Sequence, residues 1–236
     1  MKTTKLLFTF LMVVVGLISF SCSKDDDNSS SGTTYVKPSI ASETEVVTVP
    51  TALSNSTSPY AGMAVSYLEM ANSMSGMLGY LDVPENASVS KKKSGGVTYS
   101  WSSEGYSVWV EYSELTTKYT YVLYVQYTGV SKYKVMEVEQ NKDGSTGLVK
   151  YYNTDGSLLI DYSYVVTSAA VTASLKLYYT PTETFTMDIV AYKDNSGYVK
   201  IYESSVLIYN VVWNSAGSGT FTYYTEDGTF TETWTK

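Results

Sequence analysis

The chain has no histidine, no arginine and one cysteine in 236 residues. Without histidine, neither a Ser-His-Asp nor a Cys-His catalytic set can be assembled, and no His-containing zinc site can form. A single cysteine also rules out an intramolecular disulfide and leaves no thiolate site in the body. All 16 positive charges are lysines, against 23 acidic residues. Nucleic acid is not an expected partner, because phosphate binding is driven by clustered positive charge and the one run is Lys91-Lys92-Lys93, expected in a loop. There is no Gly-rich phosphate loop and no dinucleotide fingerprint, so no cofactor is expected.

The remaining catalytic route is a carboxylate pair or an oxygen-bound metal. Glu137 and Glu139 lie two apart on an expected strand and share a face, but glycoside hydrolysis draws its two carboxylates from different strands or loops. They are read as an acidic solvent face. Asp143, Asp155, Asp194 and Asp227 sit in Asp-Gly and Asp-Asn turns and are read as turn residues, since no calcium-loop spacing is present. The expectation is a protein that is not an enzyme and holds no metal.

Long apolar runs are also scarce. The one at the start, Leu6–Ile18, has 13 residues, whereas a membrane-spanning helix needs about 20. With Lys2 and Lys5 before it and Ser19-Phe20-Ser21 after it, residues 1–21 have the three parts of a secretory signal. Cys22 follows directly, and then Ser23-Lys24-Asp25-Asp26-Asp27. This segment resembles the lipobox of bacterial lipoproteins, although Ser19 and Phe20 stand where that family usually has Leu and a small residue. The resemblance implies acylation of Cys22 by fatty acids such as palmitate, and a permanent membrane anchor, since stable anchoring takes at least two chains. The acidic run resembles the surface-export signal of a subset of Gram-negative lipoproteins. It implies a place on the outer membrane facing the cell surface, with the periplasmic face as the alternative. Loss of the signal leaves 14 Lys against 23 acids, a balance of about −9.

Residues 22–57, rich in Asp, Ser, Thr and Asn, are expected to be a flexible tether, with Val46–Val49 as a possible short strand. A single domain is then expected over 58–236. Ser58-Pro59 is a helix start, with Ser58 as N-cap and Pro59 in the first turn. Tyr60, Met63, Ala64, Tyr67, Leu68, Ala71, Met74, Met77, Leu78 and Leu81 recur at helical spacing, which predicts one long helix over about 58–82. Met63, Met70, Met74 and Met77 could line a cavity, because methionine adapts to irregular surfaces, or they could be plain core.

From Val97 the period drops to two, as in Val171, Ala173, Leu175 and Leu177 alternating with Thr172, Ser174 and Lys176. About twelve strands are expected, joined by short turns such as Lys142-Asp143-Gly144 and Glu226-Asp227-Gly228. The predicted fold is mainly β (α+β), a long curled antiparallel meander, half-barrel or barrel-like, with the N-terminal helix packed on it. A transmembrane barrel is not expected, because the strands are short and lack aromatic girdles. Residues 147–158 match 219–230 at an offset of 72, with Gly, two Tyr, Asp and Gly coinciding. The rhythm resembles MORN-type hairpin repeats over two hairpins and implies repeated hairpin structure only.

The strongest compositional signal in the body is its tyrosine; the chain has 24. Trp109, Tyr124, Tyr178 and Tyr192 fall on polar strand faces and are the candidate ligand-binding residues, since exposed rings can stack on sugars; half-buried packing is the plainer role. The function expected is a non-enzymatic binding or structural module at the cell envelope. One alternative is a carrier of an apolar ligand, similar in outline to the half-barrel carriers of lipid and lipoproteins in the periplasm; another is a surface glycan binder.

Overall fold

A computed structural model describes residues 34–38, 46–92 and 96–236. The signal segment, Cys22 and Lys93 lie outside the described residues. The body is one compact unit, Thr33–Lys236. Thirteen strands form one antiparallel sheet in strict sequence order. They are β1 (Ser88–Lys91), β2 (Val97–Ser103), β3 (Tyr106–Glu114), β4 (Lys118–Tyr127), β5 (Tyr133–Asn141), β6 (Thr146–Tyr152), β7 (Leu158–Val166), β8 (Ala170–Tyr178), β9 (Thr184–Tyr192), β10 (Gly197–Glu203), β11 (Val206–Trp213), β12 (Gly219–Thr225) and β13 (Gly228–Trp234).

The period-two pattern is what orders this sheet. In β4, Tyr121, Leu123 and Val125 are buried while Thr120, Val122 and Tyr124 are only partly covered, and β5, β6 and β9 alternate likewise. Turn chemistry fixes the register. The Asp143, Asp155 and Asp194 carboxylates each accept hydrogen bonds from the backbone N–H and the hydroxyl of the serine two residues on, at 2.6–2.9 Å. The serine hydroxyls and then the backbone N–H groups hold these three carboxyls below the usual aspartate range. Gly156, at φ +84, supplies the left-handed step in the second turn.

The sheet is not closed: β1 pairs only with β2 and β13 only with β12. The barrel expectation is therefore corrected to an open sheet. The additional strand is β1, whose four residues are all exposed and which exists through pairing with β2 alone. Such a segment has no buried face, and so no alternation to read.

Two helical pieces lie on one face. A single turn, α1 (Thr51–Ser54), precedes α2 (Pro59–Gly76), which continues as a 3-10 helix, Met77–Leu81. Ser58 caps α2 as expected, its hydroxyl oxygen accepting the Tyr60 N–H at 3.3 Å. The expected single long helix over 58–82 is corrected to a shorter, 18-residue α-helix that ends at Gly76, where the tighter 3-10 turn takes over. Pro59, Gly62, Ser66, Glu69, Ser73 and Gly76 form its exposed stripe, one residue per turn, and Ala61, Ala64, Leu68 and Ala71 on the other side are fully buried.

The body begins before residue 58. Val47 and Leu53 are fully buried, so part of the stretch expected to be a tether is packed. Val46–Val49 is not a strand. The Asn72 side chain of α2 takes the place of a strand neighbour, accepting the Val47 N–H at 2.9 Å and donating to the Val47 carbonyl at 2.8 Å. Tyr35 sits edge-on to Tyr99, Tyr112 and Tyr121, 5.2–6.1 Å between centroids, and its hydroxyl donates to the Leu81 carbonyl at 2.5 Å.

Three strand glycines share one device. Gly147 faces Tyr164, Gly197 faces Trp213 and Gly219 faces Trp234 across neighbouring strands. A side chain at Gly197 or Gly219 would run into the facing indole and a backbone carbonyl of the adjoining strand. Each indole then reaches past its glycine to donate a hydrogen bond, Trp213 to the Asn195 carbonyl at 3.0 Å and Trp234 to the Gly217 carbonyl at 2.8 Å. Two of these pairs fall in the two hairpins of the internal echo.

Candidate functional site

The face of the sheet turned away from the helix carries the four predicted ligand residues. Trp109 and Tyr124 are direct cross-strand partners on β3 and β4. The Lys132 ammonium lies 4.5 Å from the centroid of each ring. This cation–π contact occupies the ring faces, and a stacking ligand would have to displace it at a cost of about 0.5–1 kcal/mol. Tyr178 and Tyr192 lie elsewhere, near opposite ends of the β8–β9 hairpin, where Tyr192 pairs with Ala170 and Tyr178 with Thr184. Five strand spacings separate β3 from β8, about 24 Å. The four residues do not form one site.

The two candidate carboxylates on this face, Glu137 and Glu139, are each paired with a lysine. A bulge at Val135, where Leu123 faces Met136 but Tyr124 faces Lys134, brings Lys134 and Glu137 onto the same side. Their ion pair measures 2.7 Å, and the Tyr152 hydroxyl donates to the same carboxylate. Partial burial pushes the Glu137 carboxyl up, but the hydrogen bonds from Lys134 and Tyr152 outweigh it and hold the group below its usual range. Glu139 pairs with Lys118 at 2.5 Å. Glu137 and Glu139 thus each have their own lysine, as a solvent-facing ion-pair surface requires.

Of the helix methionines, Met74 is buried and Met63, Met70 and Met77 are partly buried against the core cluster. Two shallow, open clefts lie on the sheet among the described residues. One of about 340 Å³ is lined by Val212, Trp213, Asn214, Ser218, Gly219, Thr220 and Trp234. The other, about 210 Å³, overlies Gly147 between Gln140 and Tyr164. Neither is lined by a helix methionine.

The helix-side face holds a row that sequence reasoning passed over. Tyr209, Tyr223 and Phe230 are successive cross-strand partners on β11, β12 and β13. The Tyr209 and Tyr223 rings are stacked, 5.0 Å between centroids and 21° between planes. Phe221 tilts against Tyr209 at 5.7 Å, and Tyr60 of α2 stacks on Phe221 at 4.5 Å and 11°. Tyr223 is 38% exposed, Phe230 48% and the nearby Val206 65%. Burial first, and then electrostatic repulsion from the neighbouring Tyr223 and Glu203 side chains, raises the Tyr209 hydroxyl above its usual range. The two-residue turn Glu226-Asp227 fixes this register, and counting outward from it would have paired Tyr223 with Phe230.

Among the described residues no group of three or more acidic or cysteine side chains could hold a metal ion, and no helix is long and apolar enough to cross a membrane. The latter says nothing of β-barrels. No protein-family profile matches the chain, and no curated protein matches it.

Proposed function

We propose that the chain is a lipoprotein held at the outer membrane through acyl chains on Cys22, facing the cell surface, and that its body is a non-enzymatic binding module. The open sheet is read as a half-barrel around the helix, since thirteen twisted strands do not stay flat. The observation that carries the binding role is the exposure of Tyr223 and Phe230, cross-strand partners on the helix-side face of β12 and β13. Two exposed aromatic side chains side by side on an edge hairpin are the kind of apolar surface that a partner covers.

The test of the anchor is fractionation of the full chain expressed in a Gram-negative host, beside Cys22→Ser. The wild type should sediment with the outer membrane and be digested by protease added to intact cells, and Cys22→Ser should be released in soluble form. A Cys22→Ser chain that stays membrane-bound refutes the anchor. A wild type protected in intact cells refutes surface display and moves the protein to the periplasmic face.

A further inference from the structure

We infer that β13 is a self-pairing edge, through which two copies of this chain join antiparallel about a two-fold axis at Thr231. This goes beyond the binding-module reading, because it rests on the backbone of the sheet edge. β13 pairs only with β12, so one side of its backbone has no strand beside it. The turn before β12 tells which residues face that side. The Asn214 N–H donates to the Ser218 carbonyl, so every second residue from there, Thr220 and Thr222, bonds to β11. Gly219, Phe221 and Tyr223 then bond to Trp234, Glu232 and Phe230 of β13. The N–H and C=O groups of Thr229, Thr231 and Thr233 therefore point outward at the edge.

The two edges of the sheet differ. β1 has four residues, ends at Lys91 and is followed in sequence by Lys92 and Lys93, features that keep other strands off. β13 has seven residues, no lysine and no proline, and runs beside β12 without a bulge. Its sequence also specifies the partner. Gly219-Thr220-Phe221-Thr222 of β12 recurs as Gly228-Thr229-Phe230-Thr231 of β13. In β12 this segment receives Trp234, Thr233, Glu232 and Thr231, in that order. A second copy brings the same four residues to the recurrence, Trp234 to Gly228, Thr233 to Thr229, Glu232 to Phe230 and Thr231 to Thr231. The register reads the same from either copy, as a closed two-fold contact requires. The outward threonines fall opposite one another, and each such pair exchanges two backbone hydrogen bonds.

Side chains fit the same register. Trp213 stands between Gly197 and Gly219, whereas Trp234 has Gly219 on one side and the edge on the other. Gly228 of the second copy takes that second place, and a residue without a side chain leaves room for the indole. In the single copy a side chain at Gly228 would meet nothing within 4 Å. Beyond the strand, Lys236 of one copy comes alongside the Glu226-Asp227 turn of the other, twice by symmetry, and opposite charges meet. One short strand from each copy makes a small interface, so the dimer is weak and depends on concentration.

The experiment is native mass spectrometry of the full lipidated chain released from mild detergent, with oxidative cross-linking of cysteine variants beside the wild type. The wild type should be a dimer that dissociates on dilution. Thr231→Pro removes an N–H that bonds no strand of its own chain, so it should weaken the dimer at least about tenfold and leave the melting temperature unchanged. Val89→Pro, on β1, should leave the dimer intact. Hydrogen-bonded cross-strand partners stand about 5.5 Å apart at Cα, within disulfide reach. Thr231→Cys should therefore cross-link to itself. Thr229→Cys should not, because the two copies of Thr229 lie about 13 Å apart along the strands, but it should cross-link to Thr233→Cys when the two are mixed. A wild type still monomeric at about 0.1 mM, or a dimer that Thr231→Pro does not weaken, overturns the proposal. Thr229→Cys cross-linking to itself overturns the register. Open-ended oligomers abolished by Val89→Pro would mean head-to-tail pairing of β13 with β1 and overturn the two-fold contact.

Discussion

Raising the pH should unfold this protein through its buried tyrosines. Tyr112, Tyr121, Tyr151 and Tyr162 are each less than a tenth exposed. Burial, foremost, raises all four phenols, Tyr112 to about 12 and the others further. In the unfolded chain each ionises near pH 10. Above that pH the unfolded state binds fewer protons than the folded one, so stability falls as pH rises; below it, these groups contribute no pH dependence. Each tyrosine then costs about 1.4 kcal/mol at pH 11 and about 2.7 kcal/mol at pH 12. Four together remove roughly 5–6 kcal/mol at pH 11 and roughly 10 kcal/mol at pH 12, comparable with a whole domain's stability of about 5–15 kcal/mol.

A cooperative transition between about pH 11 and 12 is therefore expected. Tyrosinate absorbance, recorded with tryptophan fluorescence along the same titration, should show two phases: a reversible one without loss of structure, then the buried tyrosines together with loss of the fold. Tyr162→Phe removes a buried hydroxyl that has no hydrogen-bond partner among the described residues, so it should leave stability at neutral pH intact and raise the alkaline midpoint. A single reversible phase with the fold intact past pH 12, or an unchanged midpoint in Tyr162→Phe, would refute the reasoning.

Three further substitutions test the packing. Asn72→Ala strands the backbone N–H and carbonyl of fully buried Val47 and should cost about 2–4 kcal/mol in urea unfolding; a loss under about 0.5 kcal/mol would mean the N-terminal segment is not held by this pair. Gly219→Ala places a methyl against the Trp234 indole and the Val212 carbonyl and should cost at least about 2 kcal/mol, read as a lower melting temperature. Ala at Gly105, which has open space around it, should cost less, through its left-handed backbone alone.

Much of the architecture was legible in the sequence because strand and helix patterns are local. Alternation placed the strands from Val97 to Trp234, Ser58-Pro59 marked the helix start, and the Asp-Gly turns implied antiparallel neighbours. Three things were not legible. Strand β1 has no buried face to betray it. Val47 looked like part of a polar tether, and only the arrival of Asn72 from α2 gives its backbone partners. Barrel closure depends on whether β1 and β13 meet, which no local pattern encodes.

Two tyrosines of the internal echo show the division most clearly. Tyr151 and Tyr223 occupy the same place in the 72-residue echo, and each faces the helix side of its strand. Yet Tyr151 is 6% exposed, with Tyr80 of the 3-10 turn beside it, and Tyr223 is 38% exposed. The sequence by itself determined which face each ring is on, because side-chain direction alternates with every residue of a strand. Only the tertiary structure decided which ring is covered, because coverage depends on where an 18-residue helix, of finite length, ends on a sheet thirteen strands wide.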